Sequence, residues 1–308
     1  MSSKVTLPDR RAVDHCTSVV IATRNRPDSL DRTLHALSTL QPLPRIIVVD
    51  NGSDGGVGRL REHPARPRVI ALHRNRAAAA RTIGARLADT PYVAFSDDDS
   101  WWDPQALSRA ADAFDRHPRL GLVAGRVLVG PRHEPDPVTE AMAASPVPGP
   151  VDLPGRPVLG CLACATVVRR DAFLAVGGFR ELFRIGGEET LLCYDLTAAG
   201  WGVRYLDDVV AHHHPAPERP PSWRRRALER RNAALVRWMR RPLRVAVADS
   251  WRLVRDAGRD RVARAALVGL AQTLPVALAE RRRLPAHVEE AVRVLERAEA
   301  AGWDGAGA

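Results

Sequence analysis

The order of apolar runs predicts an α/β protein whose mostly parallel sheet is flanked by helices and followed by an all-helical C-terminal region. Four short, β-branched runs, TSVVIAT (17–23), RIIVVD (45–50), RVIALH (68–73) and YVAFS (92–96), are nearly continuous rather than alternating. Strands buried on both faces read this way. Helix-like stretches separate the runs, and strand–helix alternation implies parallel strands joined by right-handed crossovers. From about Ser222 onward the pattern is helical and arginine-rich, and no strand signal returns.

In the first helix, RPDSLDRTLHALSTL places Leu30, Leu34, Leu37 and Leu40 at helical spacing. AAAARTIGARLAD is strong helix former apart from Gly84. DPQALSRAADAF reads as a helix with Asp103 at the N-cap and Pro104 at its first position. Residues 131–157 hold eight prolines and no period, which reads as an irregular loop. Regular structure resumes at VLGCLACATVVRR, followed by a helix near DAFLAVG. The division predicted is an α/β domain over 14–216 and an arginine-rich helical region over 217–308.

At 308 residues and 45% hydrophobic, the chain supports one large core or two modest ones. A net charge of +10 suggests an anionic partner. Lys4 is the only lysine, however, and an arginine bias of this kind also follows from a GC-rich genome, so charge alone names no partner. The four cysteines form no disulfide framework, and CLAC, in an apolar run, reads as buried small hydrophobes rather than a zinc or redox pair. The first residues lack the apolar core of a signal peptide. The longest uncharged run, Ala265 to Ala279, is interrupted by Pro275 and falls short of the roughly 20 residues that span a bilayer. The expectation is a soluble cytoplasmic protein.

Ligands of open α/β sheets sit beyond the carboxyl ends of the strands. Four polar clusters fall there: TRNR, DNGSDGGVG, HRNR and DDDS. The glycine-rich GSDGGVG is neither G-x-G-x-x-G nor a Walker A, and reads as a flexible turn. Asp50 ends an apolar strand, where a carboxylate needs donors that a nucleobase or ribose can supply. With Asp103 assigned to capping, Asp97, Asp98 and Asp99 have no structural task, yet adjacent carboxylates raise one another's pKa unless a cation compensates. A hard divalent ion bound to a diphosphate would do so. Glu188 and Glu189 fit either first-turn helix acids or a general base. The HHHP run (212–215) at a strand end suggests a metal or diphosphate contact. Trp101 and Trp102 read as packing or acceptor-stacking residues.

In order and spacing, SVVIATRNRPDSLDRTL, IIVVDNGSDG, RNRAAAARTIGARLA, YVAFSDDDSWWDP, RRDAFLAVGGF, GGEETLLCYDLTAAGW and VVAHHHP resemble the inverting family 2 glycosyltransferases of GT-A fold, over residues 17 to about 215. That resemblance implies roles. Thr23 and Asp50 would contact the nucleotide base, with Arg81 assisting. Asp97 would reach the ribose, with Asp98 beside it, and Asp99 would coordinate Mn2+ or Mg2+. GGEET stands where the family has a Gly-Glu-Asp segment whose final acid is the base; this maps to Glu189, with Glu188 the fallback. A histidine completing the metal site maps to His212, then His214.

The implied donor is a nucleotide-diphosphate sugar, UDP- or dTDP-linked in preference, since Asp50 can accept from the imino group of uracil, thymine or guanine. The acceptor is a glycan, a lipid-linked molecule or a small molecule. Rival readings are a nucleotidyltransferase, for which TRNRPDS is a poor first loop, and a binding protein without chemistry. In the tail, Trp223, Leu228, Leu235 and Trp238 share one side, which favours docking on the catalytic domain over peripheral contact with the inner membrane face. Nucleic acid ranks last, for want of a binding motif.

Overall fold

The computed structural model describes residues 13–57, 60–215 and 222–301. The chain opens with β1 (Val13–Thr23), α1 (Pro27–Ser38), β2 (Leu43–Asp50), β3 (Arg68–Ala71), α2 (Ala79–Leu87) and β4 (Tyr92–Asp97). A short β5 (Ser100–Trp102), α3 (Ala106–Arg116) and β6 (Leu120–Val129) follow. Next come β7 (Glu134–Pro135), α4 (Pro137–Ala143), β8 (Arg156–Pro157), β9 (Thr166–Arg169), α5 (Arg170–Ala175), α6 (Glu188–Ala198) and β10 (Gly202–His213). The remainder is α7 (Trp223–Arg240), α8 (Leu243–Ala257), α9 (Arg261–Ala279) and α10 (Ala286–Ala300).

One sheet runs in the order β3-β2-β1-β4-β9-β6-β10-β5. The four strands anticipated from their apolar runs pair in parallel as β3-β2-β1-β4. β9 enters antiparallel between β4 and β6, and β5 runs antiparallel to β10. The sheet is therefore mixed, with its parallel part carrying the predicted ligand edge. Leu30, Leu34 and Leu37 of α1 are fully buried in the same cluster as Val19, Ile21 and Val48. Gly84 sits in α2 because a Cβ there would come within 2.4 Å of Val20 Cγ1; the helix gives up propensity for close approach to the sheet.

Three local expectations are corrected. α3 begins at Ala106 with Gln105 at its N-cap, and Asp103 instead forms the preceding turn, its carbonyl accepting from Ala106 N at 3.0 Å. Residues 131–157 contain α4, capped by the Asp136 carboxylate, which accepts from Val138 N at 2.8 Å. Proline at the first turn pre-sets this helix rather than breaking it. Finally, the uncharged run at 265–279 lies in α9, which with its first turn is, among the described residues, the one helix long and apolar enough to cross a membrane.

The predicted boundary at 216/217 lies outside the described residues. Beyond it, α7 lies against α6, and one apolar cluster joins Phe183, Leu191 and Tyr194 to Leu235, Met239 and Leu270. Arg240, 1% exposed, bonds Asp195 of α6 through Nη2–Oδ2 at 2.8 Å and Glu280 O at 3.0 Å. The docking expected of this region is what the packing shows. Cys161 and Cys164 are buried, as expected of small hydrophobes.

Candidate active site

The loops after β1, β2 and β3 are clipped to one another. Asn25 and Asp54 bond reciprocally at 2.9 Å, Arg24 Nε donates to Gly52 O at 3.1 Å, and Asn51 Oδ1 accepts from Arg76 N at 2.7 Å. Gly52, at φ +76°, lies so close to the third loop that a Cβ would meet Arg74 C at 2.9 Å. Asp50 is buried at the end of β2, and its Oδ1 accepts from Ser53 N at 3.0 Å. The donor its burial demanded is thus partly supplied by the turn itself.

β4 delivers the triple aspartate, and the protein itself supplies cations for it. Arg26 reaches Asp98 at 2.6 Å and Asp99 at 2.8 Å, while Arg81 from α2 pairs with Asp97. Thr23 Oγ1 donates to Asp98 Oδ2 at 2.8 Å. The cation that these adjacent carboxylates call for is, in part, supplied by arginines of the chain itself. Burial pushes Asp98 up to about 6, against the Thr23 hydroxyl and Arg26, with the charges of Asp99 and Asp97 adding to the rise. Asp98 and Thr23 are committed to each other in the interior. Asp97 has the most exposed side chain of the three.

The histidines are re-sorted by strand geometry. His213, not His212, faces Asp99, with Nε2 3.4 Å from Oδ1. Alternate residues of a strand point to opposite faces. His212 and His214 therefore share the other side against Trp101, His212 stacked with centroids 5.9 Å apart and His214 tilted at 4.6 Å, and His212 Nδ1 lies 3.2 Å from His133 Nδ1. For Asp99 burial acts upward, but hydrogen bonding and charge from His213 and Arg26 outweigh it and hold its pKa below the ordinary carboxylate value. His213 is raised correspondingly, its own burial being overcome by Asp99. His212 and His214 are lowered by burial and by His133. Trp102 is core, so of the two tryptophans only Trp101 faces this histidine group.

Across from the aspartates, α6 begins at Glu188, preceded by Gly186 and Gly187 at φ +76° and +85°. This left-handed pair turns the chain so that both glutamates sit in the first turn, where the helix dipole favours negative charge. Burial and the neighbouring Glu188 charge push Glu189 well above the ordinary glutamate value, and burial raises Glu188. Arg81 lies within electrostatic reach of Asp97, Glu189 and Glu188; despite burial its pKa is raised. Its Nε is buried without a partner among the described residues, as is Glu188 Oε2.

Two bracing contacts escaped the sequence reading. Asn232 of α7, fully buried, donates through Nδ2 to Ile185 O at 2.8 Å and Gly186 O at 2.7 Å. Glu181, just upstream, pairs with Arg76 at 2.8 Å and with Arg74, binding the HRNR loop to the approach to α6. An asparagine in an arginine-rich helix carries no sequence signal of such a role. The TRNR cluster did stand at the right place, but nothing in its spacing singled out Arg26.

A family model described as Glycosyl transferase family 2 matches residues 18–177. The chain belongs to glycosyl transferase family 2. Its relatives include a pre-mycofactocin glycosyltransferase of Mycobacterium tuberculosis, 34% identical over 218 residues that are 64% of this chain and 42% of that protein. The chain thus spans less than half the length of that relative. An N-acetylglucosaminyl-diphospho-decaprenol L-rhamnosyltransferase of the same organism is 28% identical over 235 residues, covering 64% of this chain and 76% of that one. Among solved structures, a mannosyltransferase from Pyrobaculum calidifontis in complex with GDP-Man and Mn2+ superposes with a TM-score of 0.53 at 18% identity, over 93% of this chain and 75% of that one. That likeness shows the GT-A fold. The family match covers β1 through α5 and stops short of Glu188, Glu189 and the histidines.

Proposed function

We propose that this family 2 chain is a metal-dependent, inverting glycosyltransferase that moves a sugar from a nucleotide-diphosphate donor to an acceptor hydroxyl. The observation that carries this reading is Arg81, paired with Asp97 on one side and within electrostatic reach of Glu188 and Glu189 on the other. Donor-binding carboxylates and a candidate base are thereby gathered around a single guanidinium. Residues 14–216 carry the chemistry and 217–308 brace it; the reaction belongs to the cytoplasm.

Asp50 and Thr23 bound the base site, with uracil or thymine favoured and guanine kept in the test, and Asp97 binds the ribose. Asp99 and His213 are the donors that would hold the metal. An acidic oxygen beside an imidazole suits Mn2+, and the oxygens alone suit Mg2+. When bound, the ion neutralises charge developing on the departing diphosphate. Glu189 accepts the proton of the acceptor hydroxyl through a side-chain oxygen. The acceptor oxygen then bonds to the anomeric carbon as that carbon's bond to the diphosphate oxygen breaks, inverting the centre. A raised carboxyl pKa suits the base role, because a base works best when poised near the operating pH. The name of the decaprenol-linked relative supports a lipid-linked acceptor among the three classes considered.

The test is thermal stabilisation by UDP, dTDP and GDP, each with and without Mn2+, since binding to the folded state raises the melting temperature. One nucleotide is expected to shift it in a Mn2+-dependent way, with the shift lost in Asp99→Ala and kept in Glu189→Gln. No shift with any of the three sinks the donor site. Full transfer by Glu189→Gln sinks the base.

A further inference from the structure

We infer that the outer face of α8 is a docking surface for an anionic phospholipid membrane. The predicted membrane contact lay on α7, but α7 is the inner helix, its Leu235 and Met239 buried in the shared core. What remains outside is apolar in an organised way. Leu243, Val247, Trp251 and Val254 recur at helical intervals along α8 and are 54%, 42%, 68% and 45% exposed. The adjoining α9 also exposes Val268, Val276 and Leu278, in a stretch with no charge from Ala265 to Ala279, but Val276 and Leu278 point to opposite sides of that helix, so the organised stripe is that of α8. Exposed contiguous apolar faces on this scale mark interaction sites rather than scattered surface residues.

The charges of α8 decide the occupant. Arg244 and Arg255 run along one edge of the apolar stripe and are exposed, whereas Arg252 lies further round the helix, on the side of the acids. Both acids of the helix, Asp249 and Asp256, lie on the far flank, paired with Arg237 at 3.6 Å and with Arg230 of α7. The helix therefore presents an apolar stripe with cations along one edge, Arg244 and Arg255, while its acids pair with α7 and, for Asp256, also with Arg255 at 3.7 Å. A cleft of about 320 Å³ between α7 and α8 is lined by Arg230, Arg237, Arg252 and Arg255 together with those two aspartates. Arg255 serves both features. A surface of apolar chains beneath phosphate headgroups matches that juxtaposition: the stripe enters the acyl boundary and the arginines meet the phosphates. A second copy of the chain would bring the same cations against themselves.

The inference goes beyond the transfer reaction and is tested without donor or acceptor. The full chain is floated with vesicles of phosphatidylcholine alone or containing about one-third phosphatidylglycerol. Binding is expected to the anionic vesicles only and to weaken with salt. Trp251→Ser with Val247→Ser should weaken it by about 10-fold or more. Both side chains are exposed, so an unchanged melting temperature confirms that the variant is folded. Arg244→Gln with Arg255→Gln should remove the preference for anionic lipid. Independently of these variants, lipids brominated in the acyl chain should quench fluorescence in the wild type more than in Trp251→Phe. Absence of flotation with anionic vesicles overturns the inference, as does undiminished binding by the double serine variant. A wild-type dimer that the same two substitutions convert to monomer overturns it in favour of self-association.

Discussion

Arginine is used in opposite ways at the two ends of this molecule. At the sheet edge, Arg26 and Arg81 stand in for ligand charge, each meeting carboxylates that adjoin solvent-accessible space. In the helical region, Arg240 and Arg241 are buried struts, Arg241 reaching Glu289 at 2.7 Å and Glu296 at 2.7 Å. In the first arrangement Arg26 and Asp97, 38% and 33% exposed, are the open ends where a ligand can compete with the pairs, while Arg81, Asp98 and Asp99 are largely buried. The second cannot be disturbed without leaving a buried charge unpaired, and that is strongly destabilising. A high arginine content thus reports different physical jobs in different parts of the chain.

The sharpest test of the cleft is Glu189→Gln, which should lower transfer by about 10²–10⁴-fold while nucleotide binding persists. The matching test of the struts is Arg240→Ala, expected to cost about 3–5 kcal/mol in chemical denaturation by stranding Asp195. His213→Ala should weaken Mn2+ binding by at least about 10-fold, measured by nucleotide-linked thermal shift, whereas His212→Ala should leave it near wild type. Asn232→Ala joins the two regions: losing both bonds to the 185–186 carbonyls should cost about 1–3 kcal/mol and lower turnover more than donor affinity. Smallest in amplitude is the pH dependence. Burial raises Glu189, and with it as the proposed base the rate should climb with pH through a pKa above the ordinary carboxylate range, a limb that Glu189→Gln should erase.

Sequence and structure agree where local pattern dominates. Buried parallel strands leave continuous apolar runs, so β1, β2 and β4 were readable; β3 reads the same way in sequence but is an edge strand whose residues are exposed or half-buried. The helix α4 was obscured by proline density, although Asp136-Pro137 is itself a start signal: a cap followed by a residue with preset φ. The triple aspartate was visible as chemistry, but its partners were not, since Arg26 lies more than seventy residues away. Choosing among His212, His213 and His214 needed the pairing of β10 with β5, which sets His213 opposite Ser100 and fixes the face each ring takes. Alternation alone separates 213 from its neighbours without saying which side holds the aspartate.

The bonds from Asn232 to the loop before Glu188 also set an order in time. A chain is made from its N-terminus, and early segments fold while later ones are still being added. The sheet, the aspartates and both glutamates are all synthesised before α7 exists. The turn that aims the glutamates is held by a residue that arrives only after them, so a nascent chain ending before Asn232 has its acids without their alignment. The turn before Glu188 therefore gains its two bonds from Asn232 only once α7 has been made and packed.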